Sequence, residues 1–168
     1  MDENRRREYR VTDESQRAEE LAEVALRQGI TIAVAESLTS GKLSAALGAA
    51  GDSAEWFRGG IVSYSAQVKH RLLDVPDVPV VSATAAAAMA AGARRLLEAD
   101  VAVAVTGVGG PDPQDGEPAG SVWFGVVSGD GELTRHHVFD GEPVEVLEQT
   151  VDRAVELLLE VVRGDAAQ

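Results

Sequence analysis

Three short stretches of the chain carry residue types that can make and break bonds. The first, Glu36-Ser37-Leu38-Thr39-Ser40-Gly41, sets an acid beside three hydroxyls. One hydroxyl suffices to cap a helix, and an acid directly before it is not needed for that purpose. The unpaired N–H groups of a following helix also favour an anion or a developing oxyanion. Ser37 is therefore a candidate nucleophile, and Glu36 and Thr39 are candidate substrate-binding residues. The second stretch holds Tyr64 and Lys69, five residues apart. A lysine one turn into a helix can fold back over a strand-to-helix turn. Held near a serine and away from bulk water, it can lose its charge and act as a general base. Serine–lysine pairs are a variant of the serine triad. Taken singly, Lys69 reads as a solvated surface residue and Tyr64 as a half-buried strand aromatic. The third stretch, Thr106-Gly107-Val108-Gly109-Gly110-Pro111, is a glycine-rich turn where backbone N–H groups can approach a ligand. It lacks the Gly-Lys-Ser/Thr of a Walker loop and does not match Gly-x-Gly-x-x-Gly.

The surrounding sequence predicts what positions these residues. Ala18, Leu21, Val24, Ala25 and Leu26 recur at helical spacing, and Gly29 supplies the stop. Thr31–Ala35 is small, apolar or β-branched, which suits a short strand buried on both faces. Lys42–Ala50 reads as a helix, 51–58 as a loop carrying Ser53, and 59–64 as a second strand opened by Gly59-Gly60. Ser65 caps a short helix to Leu73, and Ser82 caps an alanine-rich helix to Leu97. Asp100–Val105 is a third buried strand. Gly120–Ser128 and Leu133–Phe139 make a hairpin around Gly129-Asp130-Gly131, and 144–162 is an amphipathic helix. The fold expected is α/β: a single three-layer α/β/α domain with a mixed sheet and a C-terminal β-hairpin followed by a helix. Residues 1–12 read as a mobile charged tail, 13–163 as the domain and 164–168 as a second tail. Ligands of such sheets sit at the carboxyl ends of the strands, where all three stretches converge.

Composition narrows the function classes. Lys plus Arg is 15 against 28 Asp plus Glu, a net charge of −13. That argues against a nucleic-acid groove and an anionic-membrane anchor, both of which need positive charge. Cysteine is absent, which excludes disulfides, thiolate nucleophiles and Cys-ligated zinc. His136 and His137 are adjacent on one strand and must point to opposite faces, so no metal site is expected. No apolar run reaches membrane-spanning length, and a cytoplasmic location is expected.

Four motifs occur in order: Ala35-Glu36-Ser37-x-Thr39-x-Gly41, Phe57-x-Gly59-Gly60-x-Val62-x-Tyr64-Ser65-x-x-x-Lys69, Thr106-Gly107-x-x-Gly110-Pro111 and Gly120-x-Val122-Trp123. Together, over residues 15 to 162, they resemble the C-terminal domain of the CinA family, whose stand-alone form is the bacterial nicotinamide-nucleotide amidohydrolase. The resemblance implies a homo-oligomer that hydrolyses the carboxamide of nicotinamide mononucleotide, with neither metal nor cofactor, to nicotinate mononucleotide and ammonia. It implies a serine nucleophile assisted by Tyr64 and Lys69. Gly60, Thr106, Gly107 and Gly110 join Glu36 and Thr39 as candidate substrate-binding residues. Two serines fit the nucleophile: Ser37 in the Glu-Ser turn, and Ser53 in the Gly51–Phe57 loop, which is one residue longer than the family's. Leu38 and Ser40 stand where the family has Cys and Gly. Glu142-Pro143 and Leu147 replace the family's Asp-Arg and a further arginine, a plausible phosphate clamp. The partner expected is thus a small-molecule carboxamide or nucleotide. The alternatives are a diverged amidase for another carboxamide and a non-catalytic small-ligand or nucleotide-binding domain.

Overall fold

The computed structural model describes the backbone of residues 3–166 and the side chains of 13–166. Helix α1 (Glu3–Gln28) leads into β1 (Ile32–Glu36), α2 (Lys42–Gly48), α3 (Ser53–Trp56) and β2 (Phe57–Val62). Then follow α4 (Ala66–Leu73), α5 (Ala83–Leu96), β3 (Val101–Gly107), β4 (Ser121–Ser128), β5 (Gly131–Val138) and α6 (Pro143–Arg163). The five strands form one sheet in the order β2-β1-β3-β4-β5. β1 is parallel to β2 and β3, while β4 is antiparallel to both β3 and β5. The mixed sheet and the hairpin-then-helix ending are as the sequence predicts.

The period-two alternation of β1 and β3 builds two different cores. Ile32, Val34, Val101, Val103 and Val105 face one side and bury α1, α2 and α6. Ala33, Ala35, Ala102 and Ala104 face the other and take the alanine-rich α5. Small residues on both partners let α5 lie close to the sheet. Gly125 completes this fit, since a Cβ there would sit 2.4 Å from the Ala86 carbonyl oxygen. Ser65 and Ser82 do cap α4 and α5, accepting from the Val68 and Ala85 N–H groups.

Two local expectations differ. The 51–58 stretch is not all loop: Asp52 takes a left-handed conformation, α3 forms as one turn, and β2 begins at Phe57. Helical backbone runs from Glu3, through most of the stretch read as a tail, because its Glu and Arg residues are good helix formers. Arg5–Arg7 lie outside the described side chains, and residues 1, 2, 167 and 168 outside the described residues altogether.

Candidate active site

A cleft of about 510 Å³ opens at the carboxyl ends of β1, β2 and β3. Ser37, Tyr64, Lys69, Thr106, Gly107 and Gly110 all line it, so strand ends far apart in sequence converge as expected. The 107–114 loop forms one wall, and Pro143 and Leu147 at the start of α6 form another.

Lys69 is the residue most altered by its surroundings. It is one of the largest fully buried side chains, at 2% exposure, held by α4 against the strand end. Burial pushes its pKa down from 10.5 to about 8, and the negative charge of Asp115 pulls the other way. Its Nζ donates to the Tyr64 carbonyl oxygen at 3.1 Å. A substantial neutral fraction near pH 8 makes it a usable base. Ser37 is nearly buried on the cleft wall. Its carbonyl accepts from Ser40 N–H at 3.1 Å, which fixes the turn. Its hydroxyl has no hydrogen-bond partner among the described residues. Tyr64 is 70% exposed at the mouth, so its link to Lys69 is through its backbone rather than its phenol.

Four expected site residues lie elsewhere or are already occupied. Ser53 lies outside the cleft lining. It opens α3 and donates to the Gly48 carbonyl at 3.0 Å. Phe57, at the start of β2, pairs with Ile32 and Val62 with Glu36, so α3 sits at the amino end of β2 while the cleft lies at its carboxyl end. Six strand residues separate the two ends by about 17 Å, too far for a Ser53–Lys69 pair within one chain. Glu36 is wholly buried and caps α2 instead of facing a ligand. Its Oε1 accepts from Gly41 N–H and Leu43 N–H, at 3.1 and 2.9 Å. Its Oε2 accepts from Ser44 N–H at 2.9 Å and Ser44 Oγ–H at 2.6 Å. Gly60 faces α2, because a Cβ there would lie 1.9 Å from Ser44 Oγ. It makes room for the serine that Glu36 holds. Thr39 is fully buried outside the lining, with its hydroxyl unpartnered.

The remaining wall residues shape the cleft. Thr106 donates to the Val80 carbonyl at 2.6 Å, tying β3 to the segment before α5. Gly107 is required by closeness: a Cβ would meet the Ser121 carbonyl oxygen at 2.6 Å. Gly110 adopts a φ of 89°, which suits glycine.

One cluster escapes sequence reading. Ser121 Oγ donates to Glu117 Oε2 at 2.8 Å and lies 2.7 Å from His136 Nε2. Since Ser121 gives its one proton to Glu117, His136 Nε2 must carry the proton between them. The His136 ring stacks on Trp123, with centroids 4.5 Å apart. Ser121 is fully buried, so the trio latches the end of the cleft loop to the sheet rather than offering a nucleophile. Only the β4–β5 register, which pairs Trp123 with His136, brings these residues together. His137 points to the opposite face, against Phe124 and Phe139. Among the described residues no group of three or more His, Asp or Glu side chains is placed to hold a metal ion, and no helix is long and apolar enough to cross a membrane. A second hollow, about 400 Å³ between α5 and β5, is lined by four alanines with Pro76, Thr84, Glu132 and Thr134 and holds no lysine, histidine or serine.

Fold and cleft together define a small α/β/α domain with a cleft at the carboxyl ends of its parallel strands. The chain belongs to the CinA C-terminal domain family, whose sequence model matches residues 14–162. A competence-damage inducible protein of Desulforamulus reducens is 34% identical over 163 residues, 94% of this chain and 40% of that protein. A CinA-like protein of Frankia casuarinae is 38% identical over 144 residues, 83% of this chain and 33% of that protein. The chain thus spans about 40% or less of the length of these curated relatives. Crystal structures of CinA superfamily proteins from Escherichia coli and Klebsiella pneumoniae each match with a TM-score of 0.86. The first is 35% identical, covering 89% of this chain and 91% of that one. The second is 32% identical, covering 90% and 98%.

Proposed function

We propose that the chain is a carboxamide hydrolase of the kind its motifs resemble, needing no metal and working through Ser37 and Lys69. The observation that carries this reading is a fully buried lysine, its pKa lowered to about 8, lining the same cleft as a serine with an uncommitted hydroxyl. Neutral Lys69 accepts the Ser37 proton as Oγ attacks the carboxamide carbon. The carbonyl π electrons move to oxygen, and backbone N–H groups of Gly109 and Gly110 in the cleft loop are the donors suited to that oxyanion. Collapse of the intermediate breaks the C–N bond, and ammonia leaves with the proton held by Lys69. Water, deprotonated by the same lysine, then releases the carboxylate and restores Ser37. Tyr64 contributes its carbonyl as the anchor of Nζ and its phenol at the cleft mouth. Self-association, which the resemblance implies, belongs to this proposal and is checked by sedimentation.

A second reading is a non-catalytic domain that binds a small carboxamide without cleaving it. One observation favours it: Lys69 Nζ is bonded to Tyr64, and no hydrogen bond joins it to Ser37. Such catalytic contacts commonly tighten only when substrate is bound. The deciding experiment is covalent trapping with a serine-directed inhibitor, located by peptide mass spectrometry. Adduct on Ser37, lost in Ser37→Ala and retained in Ser53→Ala, is the result expected. Trapping that survives Ser37→Ala overturns the assignment.

A further inference from the structure

The wall of the cleft constrains which carboxamide it accepts. Among the lining residues Lys69 is the only cation, and it lies buried with its Nζ already bonded to the Tyr64 carbonyl oxygen. Asp112 lines the same cleft, and Asp115 lies near enough to act on Lys69. Helix N-termini are the usual alternative for binding an anion, but those around this cleft are already filled. The Glu36 carboxylate occupies the start of α2. Ser65 and Ser82 cap α4 and α5. At α6, Glu145 reaches back to accept from Glu142 N–H at 2.8 Å, and Pro143 has no N–H to give. The capping box thus leaves the first turn of α6 with its N–H groups met by Glu142 and Glu145 rather than open to an anion. The α6 residues in the lining are Pro143 and Leu147, one turn apart and both apolar. Further along α6, Arg153 is committed to Glu156 and Glu160, at 2.9 and 2.7 Å.

Resting on the hydrolase reading above, we propose that the cleft takes a neutral or cationic aromatic carboxamide without a phosphate and selects against its phosphorylated counterpart. A phosphate carrying nearly two negative charges gives up water on entry and needs charged donors in return. Here it meets the apolar Pro143 and Leu147 and the carboxylate of Asp112. An unphosphorylated ligand gives up little water against the same apolar wall. A cationic ring is in addition attracted by Asp112 and Asp115. Leu147 is thus a specificity-determining position, since an arginine there would supply the missing bidentate donor.

The test uses a matched pair, nicotinamide riboside and its 5′-phosphate, with the full chain in its own solution assembly. Calorimetry reads binding, and ammonia release reads turnover. The riboside is expected to bind at least tenfold more tightly, the order of one unmet charged contact. Leu147→Arg is expected to improve binding of the phosphate form by about tenfold or more. Equal or tighter binding of the phosphate form by the unaltered protein overturns the proposal, as does binding of neither. An unchanged preference in Leu147→Arg overturns the assignment to this wall. Riboside binding without ammonia release upholds the selectivity while removing the hydrolase reading, so the two stand or fall separately.

Discussion

Replacing Lys69 with methionine should raise stability near neutral pH. Lys69 is fully buried, and its pKa falls from 10.5 to about 8 on folding. Below pH 8 the lysine is protonated in both the folded and the unfolded chain, so the whole cost of burying the charge opposes folding. A fall of about two and a half pKa units corresponds to about 3 kcal/mol. As pH rises from 8 to 10.5 the folded state releases its proton before the unfolded state does, and the penalty fades. Methionine keeps the length and apolar stem but loses the hydrogen bond to the Tyr64 carbonyl, a loss of about 1 kcal/mol. The net expectation is a gain of about 2 kcal/mol at pH 7, or about 4–8 °C in Tm for a chain of this size. The gain should nearly vanish by pH 10. Urea unfolding of both proteins at the two pH values measures it, and the difference between them cancels the other titrating groups. A Lys69→Met protein that is less stable at pH 7, or a difference that does not change with pH, would refute a desolvated lysine.

Three further outcomes follow from the cleft's supports. Glu36→Gln should lower stability by about 2–4 kcal/mol, because an amide cannot accept on both sides of the α2 terminus and leaves buried donors unmet; denaturant midpoints at constant slope check it. Gly60→Ala should destabilise the β2–α2 contact by about 1–3 kcal/mol, since its Cβ would meet Ser44 Oγ at 1.9 Å, and Ser44→Ala in the same chain should recover part of the loss. Chelator treatment should leave any hydrolysis unchanged, because no metal-ligating cluster is present among the described residues; loss reversed by one added metal would contradict it.

Much of the fold was legible because its elements differ in kind. Thr31–Ala35 reads as a buried strand from composition alone, and 82–97 reads as a helix because it is alanine-rich with a serine cap. The order of the sheet was not legible, since β1 sits between β2 and β3 through long crossovers that leave no local mark. The same limit governed the site. Residues at the carboxyl ends of neighbouring parallel strands converge, so Ser37, Lys69 and Thr106 come to line one cleft. Ser53 precedes a strand rather than following one, which puts it at the end of the sheet away from the cleft. Glu36 and Gly60 sit inside the right motifs, but spacing cannot say whether an acid faces a ligand or its own helix. The Glu117–Ser121–His136 latch depends on cross-strand register, which no linear pattern carries.

The most direct measurement is ammonia release from a panel of aromatic carboxamides across pH 6 to 10, with the unaltered chain beside Lys69→Met. Release from at least one carboxamide, rising with pH through an apparent pKa near 8 and absent in the variant, is the result expected from the buried lysine. No release from any carboxamide, or equal release by the two proteins, would contradict a hydrolase built on Ser37 and Lys69.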